Sequence, residues 1–229
     1  MNEYPKIVTE RFDGANFHIK YCLKFINKYL KGNILEVGAG CGSFTKHYLN
    51  KEITSITLTE LDQTNIFNLN KKFNNYQKIK IIKKKIDQIE EKFDVIIYLH
   101  VLEHIENDQN EINEASKRLN KNGVLIIMVP AHQKMYSNLD RAVGHFRRYE
   151  TDFFNKKFEF LELSSVKFLD SMGYFLYYLN KFFFKKEVYP SKLKIFIWDK
   201  IFTPLSIFAD FVLRYKFGKC ILAIYKKLN

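Results

Sequence analysis

The stretch Asn33-Ile-Leu-Glu-Val-Gly-Ala-Gly-Cys-Gly42 decides how the rest of the chain reads. Residues 33–37 have the apolar character of a buried strand and run into a turn where Gly38, Gly40 and Gly42 alternate. Glycines at that spacing permit positive φ and let a ligand approach the backbone where a Cβ would collide. Ser43 then opens a helix expected to reach Leu49. The dinucleotide fingerprint wants a glycine where Ser43 stands, so the loop suits a nicotinamide pyrophosphate poorly.

Upstream, Phe17, Tyr21, Phe25 and Tyr29 form one stripe with Cys22, Ile26 and Leu30 beside it, which predicts an amphipathic helix over residues 17–30. Downstream, residues 55–59, 78–82, 93–98 and 124–129 read as strands. One intervening helix is capped by Asp62 and carries Ile66, Leu69 and Phe73. Another follows Asp108 with Ile112, Ala115 and Leu119 and ends near Lys121-Asn122-Gly123. Residues 93–98 are apolar except for Asp94, as a central parallel strand covered on both faces should be. A sixth strand is expected within 158–166 and the last over 219–225.

With Glu36 on the strand, E-V-G-A-G-C-G resembles the first motif of class I S-adenosylmethionine-dependent methyltransferases. Further segments fall in that family's order, so the resemblance spans roughly residues 30–130. It implies an α/β, Rossmann-like, seven-stranded and mostly parallel sheet with helices on both faces. It also implies S-adenosylmethionine as methyl donor and S-adenosylhomocysteine as product. Gly38, Ala39, Gly40 and Gly42 would cradle the donor, with Glu36 near its methionine amine or one layer behind. Glu60, with Leu61, follows strand two where an ionised acid can accept from both ribose hydroxyls. Asp87 and Gln88 follow strand three at the adenine position. Leu99-His-Val-Leu-Glu-His-Ile105 resembles the segment beneath the methionine end, with Leu99 and His100 as contacts.

A second block, Pro130-Ala-His132 through Gly144-His-Phe-Arg-Arg-Tyr149, resembles one in bacterial members encoded among glycan and secondary-metabolite enzymes. It implies an acceptor loop above the carboxyl ends of the strands. The sulfonium donor is already activated, so the protein must align a nucleophile and remove its proton. His132 and His145 are the candidate bases, with Asp140 to orient a ring. Arg147 and Arg148 could hold an acceptor anion or pin the loop, Tyr149 borders them, and Phe12, Asn16 and Phe17 would lid the pocket. His100 and His104 share a helical face with Glu103 between them, but without H-E-x-x-H order or a clear third ligand no metal is expected.

The 229 residues suffice for one substantial core, and the 47% apolar and 16% aromatic fractions exclude general disorder. No uncharged run is long enough to span a bilayer, and Glu3, Pro5, Glu10 and Asp13 interrupt any apolar leader, so a cytoplasmic, at most membrane-peripheral protein is expected. Cys22, Cys41 and Cys220 stand apart without a C-x-x-C partner and read as free thiols. The expected layout is one domain: a helical lid over 1–30, a cofactor core over 31–173, a basic aromatic insert over 174–217 and the last strand over 218–229.

That insert holds fifteen aromatics, and the net charge of +12 is concentrated in the tail, where residues 174–229 carry eleven basic and three acidic residues. Lys185-Lys186-Glu187, Pro190 and Pro204 should break the insert into two or three helices. It could pack inward, dimerise, or dock on a membrane. Methyl transfer to a hydroxyl or amine of a small-molecule or glycan-related acceptor leads the functional readings. An RNA methyltransferase is the alternative suggested by charge, though no N-P-P-Y signature follows strand four. A catalytically inactive binding protein with the same fold is another.

Overall fold

The computed structural model describes residues 12–50, 52–183 and 189–228. Seven strands form one sheet in the order β3-β2-β1-β4-β5-β7-β6. They are β1 (Gly32–Val37), β2 (Ile53–Thr59), β3 (Ile79–Ile82), β4 (Phe93–Leu99), β5 (Leu119–Pro130), β6 (Leu161–Leu169) and β7 (Cys220–Lys227). The pairings from β3 through β5 are parallel, and β7 runs antiparallel to both β5 and β6.

Alternation along the strands splits the core between two faces. Ile34, Ile56, Leu58, Val95, Ile97, Ile126 and Met128 pack on one side, with Ile19, Cys22, Leu23 and Ile26 of α1 (Asn16–Ile26) and Leu69 and Phe73 of α3 (Gln63–Phe73). Leu35, Val37, Ile96, Tyr98, Leu125, Ile127 and Val129 face the other side, against Ile112 and Ala115 of α4 (Asp108–Lys117). Every β4 residue from 95 to 98 is fully or almost fully buried, which is why this strand reads as one apolar run. Asp94 is tolerated at its start because its carboxylate accepts from Asn33 N–H and the Asn120 side chain, both at 2.8 Å.

Local departures have identifiable causes. The helix expected over 43–49 shrinks to α2 (Thr45–Tyr48). Leu119, expected on a helix, begins β5 instead, because it pairs with Phe93 ahead of a register shift in β4. The N-terminal helix ends at Ile26, and a 3₁₀ turn over Asn27–Tyr29 completes it. Two short helices, α5 (Asn138–Ala142) and α6 (Thr151–Phe154), flank the Gly144–Tyr149 loop.

The insert begins at Ser171 rather than 174, with α7 (Ser171–Phe183). Pro204 does not break it. α8 (Lys192–Ile197), a π-turn over Trp198–Phe202 and α9 (Thr203–Val212) form a continuous helical stretch with Pro204 in the first turn of α9. The wider π-turn there is consistent with a residue that cannot donate a backbone hydrogen bond. The break expected at Lys185-Lys186-Glu187 lies outside the described residues.

Buried carboxylates fasten the insert to the body. Asp210 accepts from the Tyr21 hydroxyl at 2.6 Å and from the Asp170 and Ser171 N–H groups at 2.8 and 2.9 Å. Asp199 accepts from His18 N–H at 2.9 Å, and Asp170 from Trp198 Nε1 at 3.0 Å. The described helices include none long and apolar enough to cross a membrane.

Candidate active site

The chain leaves β1 toward β2 and β3 on one side, then returns to β4 on the other, so the β1/β4 boundary is the topological switch point. Crevices for ligands open there at the carboxyl ends of the strands. Gly38 and Gly40 follow β1 with φ of 65° and 57°. A Cβ on Gly38 would come within 2.8 Å of Val101, whereas one on Gly40 would meet nothing within 4 Å. The first glycine is required by packing, and the second leaves open space above the loop.

Glu60, at the end of β2, holds this loop. Its carboxylate accepts from Gly40 N–H at 2.8 Å and from Leu61 and Asp62 N–H at 2.7 and 2.9 Å. Asp62 separately caps α3 through Asn65 N–H, as its position suggests. Ala39 donates to the Thr59 carbonyl, and Gly42 closes the turn onto Ala39. Asp87 and Gln88 form an exposed 3₁₀ turn beyond β3, where the Gln88 side chain accepts from Lys85 N–H.

Glu36 points into the protein, one layer behind the loop. It accepts from Thr45 Oγ1 at 2.7 Å and from the Tyr48 hydroxyl, and burial pushes its pKa up to about 7 against those hydrogen bonds. Leu99 is buried at the end of β4, and His100 follows with a positive φ of 58°. A non-glycine residue in that region stores strain, which structures retain most often at functional sites.

The N-terminal segment contacts both the insert and the glycine loop. Phe12 meets Trp198 edge-on at 6.1 Å, and Asn16 Oδ1 lies 2.9 Å from His47 Nε2. Asp13 accepts from Ser43 Oγ at 2.6 Å and pairs with Lys46 at 3.2 Å, which ties the segment before α1 to the residues that follow the glycine loop. Asp13 and Trp198 were not among the residues expected from the sequence. No local pattern marks them, because their partners lie 30 residues or more away.

The second block divides. Asp140 is buried and accepts from His145 Nδ1 at 2.8 Å, Arg148 Nε and Nη2 at 2.8 and 3.0 Å, and Ser137 N–H and Oγ. Burial opposes its ionisation, but the His145 and Arg148 hydrogen bonds hold its pKa well below the carboxylate range. Arg148 is thereby consumed in a bidentate ion pair, and Arg147 binds Asp108 at 2.6 Å and the Glu106 carbonyl at 2.7 Å. Both guanidiniums, expected to face an acceptor anion or to pin the loop, pin the loop. Tyr149 is buried, its hydroxyl on the Leu102 carbonyl and Asp108.

His132 does not join His145. Its Nε2 donates to the Gly218 carbonyl at 3.0 Å, Nδ1 lies 3.4 Å from Glu150, and the ring stacks on Phe168 at 5.2 Å. Both nitrogens are engaged with protein groups, an arrangement that fixes the start of β7 rather than presenting a base. His145 instead meets Glu103 and His104. Its Nε2 is 3.9 Å from Glu103 Oε1, its ring 4.6 Å from that of His104, and His100 Nδ1 is 3.6 Å from the same carboxylate. Glu103 is fully buried, and neither oxygen has a hydrogen-bond partner within 3.5 Å, His100 lying just outside that distance. The third polar group that the His100/His104 spacing lacks therefore comes from a loop forty residues downstream.

A family profile described as a methyltransferase domain matches residues 15–166. No curated protein matches the chain. Among solved structures, the N-methyltransferase NodS from Bradyrhizobium japonicum WM9, in complex with S-adenosyl-L-homocysteine, is 17% identical with a TM-score of 0.63, covering 100% of this chain and 94% of its own. The methyltransferase solved with the Haloferax volcanii Trm112 methyltransferase activator is 10% identical with a TM-score of 0.67, covering 100% and 99%. Coclaurine N-methyltransferase bound to N-methylheliamine and S-adenosylhomocysteine is 13% identical with a TM-score of 0.61, covering 92% and 72%. The architecture shared with them is the class I methyltransferase fold.

Proposed function

This chain belongs to the methyltransferase-domain family, and on that premise we propose that it transfers a methyl group from S-adenosylmethionine to a hydroxyl or amine of a small-molecule or glycan-related acceptor. The observation that carries the donor half is the join between Glu60 and the Gly40 turn at the sheet's switch point. Open space above Gly40 gives the donor access to the backbone. Three N–H groups fill three of the roughly four lone-pair sites of the Glu60 carboxylate, so capacity remains for a ribose hydroxyl.

Gly38, Ala39, Gly40, Gly42, Glu60, Leu61, Asp87, Gln88, Leu99 and His100 would hold the donor, with Glu36 positioning α2 from behind. When bound, the donor supplies an activated methyl group on a sulfonium. The protein's own task is alignment and removal of one acceptor proton. In this reading the proton is lost at the polar cluster around His145, whose ring Asp140 fixes.

The insert favours an acceptor presented at an anionic lipid surface. Asp199, Thr203, Ser206 and Asp210 form the buried stripe of the π-turn and α9, while Ile201, Leu205, Phe208, Phe211 and Val212 face outward, Phe208 and Phe211 about 70% exposed at 72% and 70%. A helix with its polar stripe inward and apolar stripe outward is inverted for contact with water. Exposed Lys192, at the start of α8, and Arg214 and Lys216, just past the end of α9, flank it in sequence and would complement anionic headgroups.

The test is incubation of the purified chain with methyl-labelled S-adenosylmethionine and source-cell extract, then separation into lipid, small-molecule, RNA and protein fractions, with a Glu60→Ala control. Label in lipid or small molecules that disappears in the control is expected. Label in RNA would overturn the acceptor class, and absence of both label and S-adenosylhomocysteine binding would overturn the function.

A further inference from the structure

We infer that Glu103, His104 and His145 form a binding site for one divalent cation of the first transition row, beside the proposed acceptor position. The carboxylate and the two ring nitrogens lie within 4.8 Å of one another, although they come from the turn after β4 and the loop after α5. A zinc-sized ion with bonds near 2.1 Å holds tetrahedral ligands roughly 3.4 Å apart, so the 3.9 Å gap between Glu103 Oε1 and His145 Nε2 needs only a small contraction.

The hydrogen-bond pattern points to the same occupant. The Asp140 carboxylate can only accept, so His145 Nδ1 carries a hydrogen, and in the neutral ring the Nε2 lone pair is turned toward Glu103. Two acceptors then face each other in a buried space, and the nearest donor to the carboxylate is His100 Nδ1 at 3.6 Å, beyond ordinary hydrogen-bond distance. A buried carboxylate without a short hydrogen bond is costly, and a cation between the two groups reduces that cost. Asp140 has the role a carboxylate behind a metal-bound histidine has, fixing its tautomer and raising its basicity. The ring of His104 is also hydrogen-bonded to the Gly144 backbone.

Two histidines and one carboxylate suit zinc, manganese, iron or cobalt better than magnesium, which prefers oxygen ligands. Three protein ligands leave a position open. Resting on the proposed function, that position would receive the acceptor hydroxyl and lower its pKa, so that its proton passes to water before the oxygen takes the methyl group. His145 is then a ligand rather than the base.

Cobalt titration of the metal-stripped full chain tests the site, because Co²⁺ in a nitrogen and oxygen environment gives visible d–d bands without turnover. The expected result is one equivalent bound with a tetrahedral or five-coordinate spectrum, displaced by Zn²⁺, and lost at least tenfold in affinity in Glu103→Gln and in His104→Gln. S-adenosylhomocysteine affinity, measured on the same samples, should be unchanged. No stoichiometric Co²⁺ binding by wild type, or binding retained in both variants, overturns the inference. Loss of S-adenosylhomocysteine binding by wild type would instead overturn the function proposed above. Should Glu103→Gln fail to fold, His104→Gln alone decides.

Discussion

Glu60 and Gly40 lie 20 residues apart, yet the carboxylate of one takes the N–H of the other at 2.8 Å and joins the ends of the first two strands. The residue offered to a ribose is thus also the residue that shapes the glycine turn. Glu60→Ala should therefore do more than remove one ligand contact. We expect S-adenosylhomocysteine affinity, by calorimetry, to fall about 100-fold, as loss of charge-assisted hydrogen bonds predicts. A change of less than twofold would mark Glu60 as a structural acid only.

Glu36 gives stability a pH dependence. Its carboxyl is held up to about 7 by burial, against an ordinary 4.5, so the folded chain keeps its proton longer than the unfolded chain does. Stability from this group is greatest below about pH 4.5, declines as pH rises to about 7 and is flat above, for a total on the order of 3 kcal/mol. Glu36→Gln should lack that decline, so its Tm should gain on wild type between pH 5 and pH 7. Parallel Tm curves for the two proteins would contradict the buried placement.

Asp140 has the opposite sign. Its pKa is depressed from the ordinary 3.8, so the stability it contributes is present above that pH and is lost as pH falls below it. Asp140→Asn leaves the buried Arg148 without its bidentate partner and should cost about 3–5 kcal/mol in denaturant unfolding at pH 7. The gap from wild type should narrow below about pH 4. Loss of His145 orientation should also reduce turnover more than S-adenosylhomocysteine affinity. An unfolding curve like wild type's at pH 7 would exclude the ion pair as an anchor of the loop.

The outward face of α9 predicts vesicle binding. Sedimentation with vesicles containing anionic phospholipid should capture the chain, and replacing Phe208 and Phe211 together by Ser should weaken capture by up to roughly 1,000-fold, since burying each ring is worth about 2 kcal/mol. Concentration-dependent dimers that the same substitutions abolish, without vesicle capture, would assign this face to a second copy instead.

The parts of this protein legible from its order of residues are those governed by local periodicity. The alternation of apolar runs with amphipathic helices fixes an α/β sheet, because side chains on a strand and on a helix must repeat with their own periods to reach a core. Gly38 and Gly40 announce the turn because few other residues adopt their φ. Asp62 announces the start of α3 because its cap bond is to a residue three positions on. Leu119 misleads, since its helical spacing is overridden by pairing with Phe93.

What the sequence by itself determined is the sheet, the glycine turn and the list of polar residues near the strand ends. Only the tertiary structure decided what each of them does. His132 and His145 look equivalent in sequence, but one is spent on the Gly218 carbonyl and the other is held by Asp140 toward Glu103. Arg147 and Arg148 could bind an anion or pin the loop until Asp108 and Asp140 are placed beside them. The insert's aromatics could face the core or the outside until buried Asp199, Ser206 and Asp210 turn Phe208 and Phe211 of their helix outward. The physical reason is the same in each case: a polar group's chemistry depends on which partner satisfies it, and these partners meet only when distant segments pack together.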